Sequence, residues 1–138
     1  MKVIYKSIVL FGIGGSIYIL IEILWRMIMG RPPTHWAMFI VGGLAFLIIG
    51  GINEHFDIPL LAQSFIGTVI IVLLEFISGC ILNIWLGLHI WDYSNVPFNV
   101  LGQICLPFAA VWFALASVAI VVDDYCRFIF FKEKMPRY

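Results

Sequence analysis

The hydrophobic residues of this chain fall into four long runs, which polar and turn-forming stretches separate. The runs extend over about residues 7–29, 36–52, 60–90 and 98–122. Because they are continuous, they predict helices and disfavour a transmembrane β-barrel, whose strands alternate over segments of roughly ten residues. About 20 apolar residues cross a bilayer as a helix. We therefore expect an all-α polytopic membrane protein that is built as a four-transmembrane-helix bundle.

The composition agrees with this fold class. Hydrophobic residues make up 63% of the chain and charged residues 12%, against about 45–50% and about 25% in soluble proteins. Residues 1–138 are thus expected to form a single integral membrane domain, and the lipid bilayer is the expected partner. The 8 basic residues balance the 8 acidic ones. The chain has no excess positive charge for a phosphate backbone, so we expect no nucleic acid as a partner.

Basic residues lie only near the two ends of the chain, and none occurs between Pro32 and Cys126. Cytoplasmic loops carry an excess of Lys and Arg, so this distribution predicts a multi-pass protein with both termini cytoplasmic. The first run contains Glu22 and Arg26 and has no small-residue cleavage site. We expect it to be retained as a span. The aromatic and basic segment 123–138 is expected to be an interfacial tail on the cytoplasmic membrane surface.

Small residues in the first two runs predict close helix packing. They are Gly12, Gly14, Gly15, Ser16, Gly42, Gly43, Gly50 and Gly51. The first and third runs also share a pattern, in which a glycine and a hydroxyl residue precede a glutamate by about two helical turns. This similarity suggests a 2+2 parallel helical-hairpin repeat, in which the two glutamates lie at one depth in the membrane.

Those two glutamates, Glu22 and Glu75, are the leading candidates for a substrate- or ion-binding site. An ionisable side chain within a span is costly and normally faces a protein interior or a water-filled cavity. Arg26 follows Glu22 by four residues, so the two can form a local ion pair. Glu75 has no basic residue in its own helix, and only Arg26 could neutralise it within the bundle. Otherwise Glu75 is protonated, or it balances a cation or a proton in transit.

A stripe of polar and small residues extends the candidate site along the third run. Steps of four residues lead from Gln63 through Glu75 to Asn83, which places these side chains on one face of a helix. In the fourth run, Pro107 is expected to kink the helix and free the backbone carbonyl of Gln103. Interrupted helices of this kind bind substrates in transporters. Helix packing alone could equally explain both features.

Three further residues between the runs complete the set of candidates. Asp92 and Tyr93 lie in a turn that interface-seeking aromatic residues mark, and we expect them at the outer mouth of the bundle. His35 occupies the corresponding place before the second run. Its imidazole could pair with a carboxylate or respond to pH. A plain membrane-surface turn and a capping histidine are the alternatives.

The sequence contains none of the residue spacings that indicate a catalytic, phosphate-binding or zinc-binding site. It contains no arrangement of nucleophile, base and orienting group and no Walker-type phosphate loop. Cys80, Cys105 and Cys126 lack the spacing of a zinc site and fit small core residues. We therefore predict no catalytic residue, no metal and no cofactor. If ATP drives this protein, a separate ATPase chain must supply the energy.

The motifs of the loop and of the fourth run resemble a known family of small bacterial membrane proteins, described as Putative ABC-transporter type IV or as ABC transporter permeases. The resemblance rests on the segments Trp91-Asp92-Tyr93-Ser94, Pro97-Phe98-Asn99 and Gly102-Gln103-Ile104-Cys105-Leu106, and on Glu22, His35-Trp36, Glu75, Gly79 and Trp112. It covers about residues 12–112. The resemblance implies a transport-associated subunit in the bacterial cell membrane.

The sequence thus favours a protein that binds or translocates a small polar or cationic solute through a carboxylate-lined bundle core. It would act as a homo-oligomer or with partner membrane subunits. The main alternative is a non-catalytic membrane scaffold or assembly subunit, in which the same polar groups satisfy one another. A third hypothesis is a membrane enzyme that acts on lipid head groups through the outer carboxylates.

Overall fold

Long helices dominate the structure, a computed structural model that describes residues 1–138. The helices are α1 (Lys2–Ile28), α2 (Ala37–Gly50), the one-turn α3 (Ile52–His55), α4 (Leu60–Gly79) and α5 (Leu106–Phe131). Four helical segments are long and apolar enough to cross a membrane, when α3 is counted with α2 and the turn after α4 is counted with α4. The predicted all-α four-helix membrane fold is confirmed.

A largely non-helical segment of 20 residues leads into α5 and forms a cap at one end of the bundle. A π-helical turn, Cys80–Trp85, continues α4 to the start of this segment. The cap itself comprises residues 86–105 and includes an antiparallel pair of two-residue strands, β1 (Asn99–Val100) and β2 (Ile104–Cys105). Gly87 and Gly102 have positive φ angles of 65° and 70°, a conformation that glycine adopts without steric cost. These turns bring the cap back over the helices.

The cap begins earlier and ends later than the hydrophobic runs suggest. The third run was expected to continue to residue 90 and the fourth to begin at 98, whereas the helices end at Trp85 and begin at Leu106. The predicted kink at Pro107 is wrong, because Pro107 lies in the first turn of α5. A proline there loses no helical hydrogen bond, since the first N–H groups have no partner in the helix. The carbonyl of Gln103 instead accepts a hydrogen bond from the Trp91 indole, at 3.0 Å.

Glycines bring the first two long helices into close contact. α1 packs mainly on α2, α4 packs mainly on α5, and α2 contacts both members of the second pair. A Cβ atom at Gly14 would lie 2.3 Å from Cβ of Phe46, and one at Gly43 would lie 2.8 Å from the Phe11 ring. The predicted packing role is confirmed for Gly14 and Gly43 but not for Gly12, which has no neighbouring atom within 4 Å of an added Cβ. The helix pairs match the two hairpins of the proposed repeat, whose symmetry stays a prediction.

The substitution Gly14→Ala is expected to destabilise the bundle. Its new methyl group overlaps the Phe46 side chain near the backbone, where neither helix can adjust without moving. Overpacking of this kind costs about 1–3 kcal/mol of unfolding free energy. Gly12→Ala on the same helix is the matched control, because nothing lies within 4 Å of the added atom. Unfolding of both variants in mixed micelles measures the difference, and equal stability of the two would contradict this packing.

The predicted interfacial tail at 123–138 begins later than expected, because α5 continues to Phe131. The first tail residues, Asp123, Asp124 and Arg127, are almost fully buried inside the bundle. Arg127 lies one turn after Asp123, and its Nε donates to that carboxylate at 2.5 Å. Pairing of this kind lets charged groups be buried, and Gly50 leaves space for Asp123.

Both chain termini lie at the end of the bundle opposite the cap. Lys6 near the N-terminus contacts Glu54 in α3 at 2.6 Å and Glu133 after α5 at 2.7 Å. Arg127 also forms an ion pair with Glu54. We call Lys6, Glu54, Asp123, Arg127 and Glu133 the basal charge network. It ties three helices and the C-terminal segment together.

Candidate functional site

A cavity of about 140 Å³ lies between the four long helices and beneath the cap. It is lined by 22 residues, of which 17 are hydrophobic. The carboxylates of Glu22 on α1 and Glu75 on α4 are both in this lining. The structure therefore brings together the two leading candidates of the sequence, which lie 53 positions apart in the chain.

Glu75 is nearly buried, with 8% of its surface exposed, and neutral groups hold its carboxylate. Oε1 accepts a hydrogen bond from the Tyr93 hydroxyl at 2.8 Å, and Oε2 accepts one from the Trp112 indole N–H at 2.9 Å. None of the salt bridges in the structure includes Glu75. An ionised carboxylate here is hydrogen-bonded but has no cationic partner in the chain.

The position of Glu75 follows from the polar stripe on α4. The stripe forms the buried face of α4 and of its π-helical continuation, as predicted. Its buried members are Gln63, Gly67, Glu75, Gly79 and Asn83. The opposite face of the helix carries large exposed hydrophobic residues, which suit contact with lipid. The period of the helix thus directs the acid into the bundle.

Glu22 has the local partner that its spacing predicts. Its Oε2 accepts hydrogen bonds from Nε of Arg26 at 2.8 Å and from the hydroxyl of Thr34 at 2.9 Å. Arg26 also donates to the backbone carbonyls of Pro32 at 3.1 Å and Ile90 at 2.8 Å. The guanidinium is therefore engaged with Glu22 and with the loops on either side, and it is not the partner of Glu75.

Asn83 and Gln103 meet one another beneath the cap. The Asn83 amide donates to Oε1 of Gln103 at 2.8 Å, and its oxygen accepts from the backbone N–H of Ile90 at 2.7 Å. The Gln103 amide nitrogen donates to the carbonyl of Leu101 at 3.0 Å. Neither amide lines the cavity. Their contacts fasten the cap to the end of α4 and so position the residues that do line it.

Two cap residues, Trp91 and Tyr93, reach into the cavity. The Tyr93 ring stacks on Phe108, with ring centroids 4.8 Å apart. Burial and the neighbouring Glu75 carboxylate raise the pKa of the Tyr93 hydroxyl well above its usual range. Tyr93 therefore stays protonated, and its hydroxyl donates to Glu75.

The structure places Asp92 and His35 outside the cavity. Asp92 is exposed and accepts hydrogen bonds from the hydroxyl and the backbone N–H of Ser94, which lower the pKa of its carboxyl. His35 accepts from the N–H of Ala37 at 3.1 Å through Nδ1, at the start of α2. It forms no hydrogen bond with a carboxylate. Both therefore stabilise local turns.

Sequence reasoning missed the aromatic part of the lining. Tyr18 on α1 and Trp112 on α5 lie in the cavity, with ring centroids 6.1 Å apart. Each occurs within an apolar run, where an aromatic residue gives no signal that separates a cavity wall from a lipid-facing surface. The basal charge network was also missed, although the i, i+4 spacing of Asp123 and Arg127 could have indicated it.

The candidate site offers carboxylates, hydroxyls and aromatic rings as ligand groups. No three His, Cys, Asp or Glu side chains come together in a group that could hold a metal ion. What the cavity can do chemically is bind a solute that carries positive charge and apolar surface, through the Glu75 carboxylate and the surrounding rings.

Comparison with known proteins identifies the family of the chain. Residues 4–132 match the family model described as Putative ABC-transporter type IV. No solved structure matches the chain. Together with four helices that can cross a membrane, the family makes this chain a multi-pass, transport-associated membrane protein. The chain belongs to the Putative ABC-transporter type IV family, as its motifs indicated.

Proposed function

We propose that this protein binds a small cationic solute in the cavity between its helices and takes part in moving that solute across the membrane. Glu75 is the main binding group, and Glu22, which is paired with Arg26, forms the polar wall on α1. The observation that carries the proposal is the Glu75 carboxylate, which faces a cavity and has no cationic partner. Acids without partners within membranes mark solute or ion pathways.

The surrounding polar residues have supporting roles in this proposal. Asn83 and Gln103 hold the cap in place, so that the Tyr93 hydroxyl reaches Glu75. Asp92 shapes the exposed turn next to Tyr93, and His35 fixes the start of α2. Asn83, Gln103, Asp92 and His35 are positioning residues, since none of these four lines the cavity.

For the cellular setting, we propose a bacterial cell membrane with both termini on the cytoplasmic side. The basic residues at the chain ends favour that orientation, and the termini share one end of the bundle. A homo-oligomer or partner membrane subunits complete the transport path in this proposal. The chain carries no phosphate-binding loop, so a separate ATPase supplies the energy if ATP drives transport.

A scaffold function is the alternative that one observation favours. Asn83 and Gln103 are hydrogen-bonded to each other, and so are Glu22 and Arg26. Polar groups with a purely structural role pair in this way. Glu75 separates the two functions. A scaffold needs this residue only for its hydrogen bonds, whereas a binding site needs its charge.

Glu75→Gln is expected to weaken cation binding by at least about ten-fold, because the amide keeps the shape of the side chain but loses its charge. Calorimetric titration of the purified chain in detergent with ammonium, sodium, potassium and tetramethylammonium chlorides measures the effect. Asp57→Asn is the matched control. It removes one acidic charge at an exposed position outside the cavity lining, and it should leave binding unchanged.

The same titrations can contradict the proposed function. If none of the four cations binds the unmodified chain, or if Glu75→Gln binds as tightly, the cavity is not a cation site. A folded Glu75→Gln variant that only loses thermal stability would support the scaffold. Circular dichroism and size-exclusion chromatography establish the folded state before each titration.

A further inference from the structure

Aromatic rings surround the two carboxylates in the cavity. Tyr18, Trp91, Tyr93 and Trp112 all belong to its lining. They come from α1, from the cap and from α5, so three separate parts of the fold contribute a ring to the same small space. The faces of such rings attract cations through their electron density, most strongly where water is excluded. This lining is therefore suited to a particular class of cation.

The charge of the lining is that of a single unpaired carboxylate. Glu22 and Arg26 form an ion pair at 2.8 Å and neutralise each other. Glu75 forms no salt bridge, and each of its oxygens accepts a hydrogen bond from a neutral donor. When Glu75 is ionised, one negative charge is left for a ligand, which matches a ligand with one positive charge.

The size of the cavity limits the ligand to a few non-hydrogen atoms. Its volume is about 140 Å³, and an apolar cavity of about 150 Å³ holds a molecule as large as benzene. A cation with several methyl groups around one nitrogen falls within this range. An inorganic ion that loses its hydration shell finds few oxygen ligands here, because 17 of the 22 lining residues are hydrophobic and Mg²⁺ and Ca²⁺ require six or more oxygens.

We propose that the cavity selects a small organic ammonium cation with methyl or other alkyl substituents, held between the Glu75 carboxylate and the aromatic rings. This inference rests on the proposed function and names its solute class. The alkyl groups contact the hydrophobic lining, and the positive charge is shared between the carboxylate and the ring faces. A quaternary nitrogen has no N–H to donate, so it would bind through its charge and its alkyl groups and leave the hydrogen bonds of Tyr93 and Trp112 to Glu75 in place.

Tetramethylammonium, sodium and tert-butanol test this selectivity in calorimetric titrations of the purified full chain. We expect tetramethylammonium to bind at least ten-fold more tightly than sodium, which has no apolar surface. Tetramethylammonium should also bind more tightly than tert-butanol, which has similar size but no charge, by the same factor. Tryptophan fluorescence should change in parallel, because Trp91 and Trp112 line the cavity.

Variants of Tyr18 test the aromatic contribution separately from the charge. Tyr18→Leu should weaken tetramethylammonium binding about ten-fold or more, since it removes one ring face. Tyr18→Phe keeps the ring and should bind within about three-fold of the unmodified chain on the same reasoning. If Tyr18→Leu does not fold, the comparison of the three ligands and the fluorescence change still decide the question.

The outcomes separate the two proposals. If sodium or potassium binds through Glu75 as tightly as tetramethylammonium, the organic-cation inference is overturned and the proposed function stands. If tert-butanol binds as well as tetramethylammonium, or if no cation binds, both are overturned. Equal binding by Tyr18→Leu and Tyr18→Phe would also contradict the role of the aromatic ring.

Discussion

Replacing Arg127 with methionine is expected to lower the free energy of unfolding by about 3–5 kcal/mol, the usual effect of breaking a buried ion pair. The Asp123 carboxylate is fully buried, with 0% of its surface exposed, and Arg127 is its cationic partner at 2.5 Å. Arg127 also pairs with Glu54. The variant therefore leaves an uncompensated charge between the helices. Unfolding in mixed micelles, followed by circular dichroism, measures the loss.

Two further variants show whether the buried charge is the cause. Arg137→Met removes the same charge at an exposed position and should leave stability within about 0.5 kcal/mol, as expected for a surface substitution. The double variant Asp123→Asn, Arg127→Met removes both charges and should recover most of the stability. A double variant as unstable as Arg127→Met alone would show that packing, rather than the unpaired acid, causes the loss.

Asn83→Leu is expected to detach the cap from the end of α4. It leaves two buried groups without partners, the backbone N–H of Ile90 and Oε1 of Gln103. Each unsatisfied group costs about 1–3 kcal/mol. Hydrogen exchange of residues 86–105 measures the effect, and we expect faster exchange throughout this segment. Cation binding should weaken as well, because Tyr93 reaches Glu75 from the cap.

The matched control is Asn95→Leu, the same substitution at an exposed position of the cap. It should leave exchange in the segment unchanged apart from its immediate neighbours. If Asn83→Leu also leaves exchange unchanged, the buried amide pair does not hold the cap. If exchange increases while cation binding keeps its strength, the cap does not position Tyr93 at the site.

The helices and the face of α4 that carries the site could be predicted from the sequence. Continuous apolar runs of sufficient length predict helices in a bilayer, because a helix satisfies its backbone hydrogen bonds within its own segment. Within the third run, the four-residue steps from Gln63 to Asn83 fix which face is polar. Glu22 and Arg26 are likewise neighbours on one helix, so their pairing depends only on local geometry.

The partners of Glu75 could not be predicted in the same way. Tyr93 and Trp112 lie 18 and 37 residues away in the chain, and their approach depends on how the cap folds back. The sequence suggested that the third and fourth spans extended into the cap, because its hydrophobic residues continue both runs. The turns at Gly87 and Gly102 and the amide contacts of Asn83 fold these hydrophobic residues into the cap rather than into longer helices.

The burial of Asp123 and Asp124 at the other end of the bundle escaped prediction for a related reason. Adjacent acids and an arginine near the end of an apolar run are normally solvated at the membrane surface. Here Gly50 on α2 gives Asp123 room to enter the bundle, and Asn53 donates to Asp124 at 2.8 Å. Gly50 and Asn53 lie about 70 residues before these acids in the chain, so no local sequence pattern predicts the contacts.

Chemical labelling of Glu75 is the most direct test of the claim that its carboxylate faces a cavity and meets a cation there. An apolar carbodiimide adds to accessible carboxyl groups, and mass spectrometry of the digested chain locates the adduct. We predict modification at Glu75, protection of Glu75 by tetramethylammonium chloride, and no modification at the fully buried Asp123. An unreactive Glu75, or labelling that the cation does not change, would contradict the account.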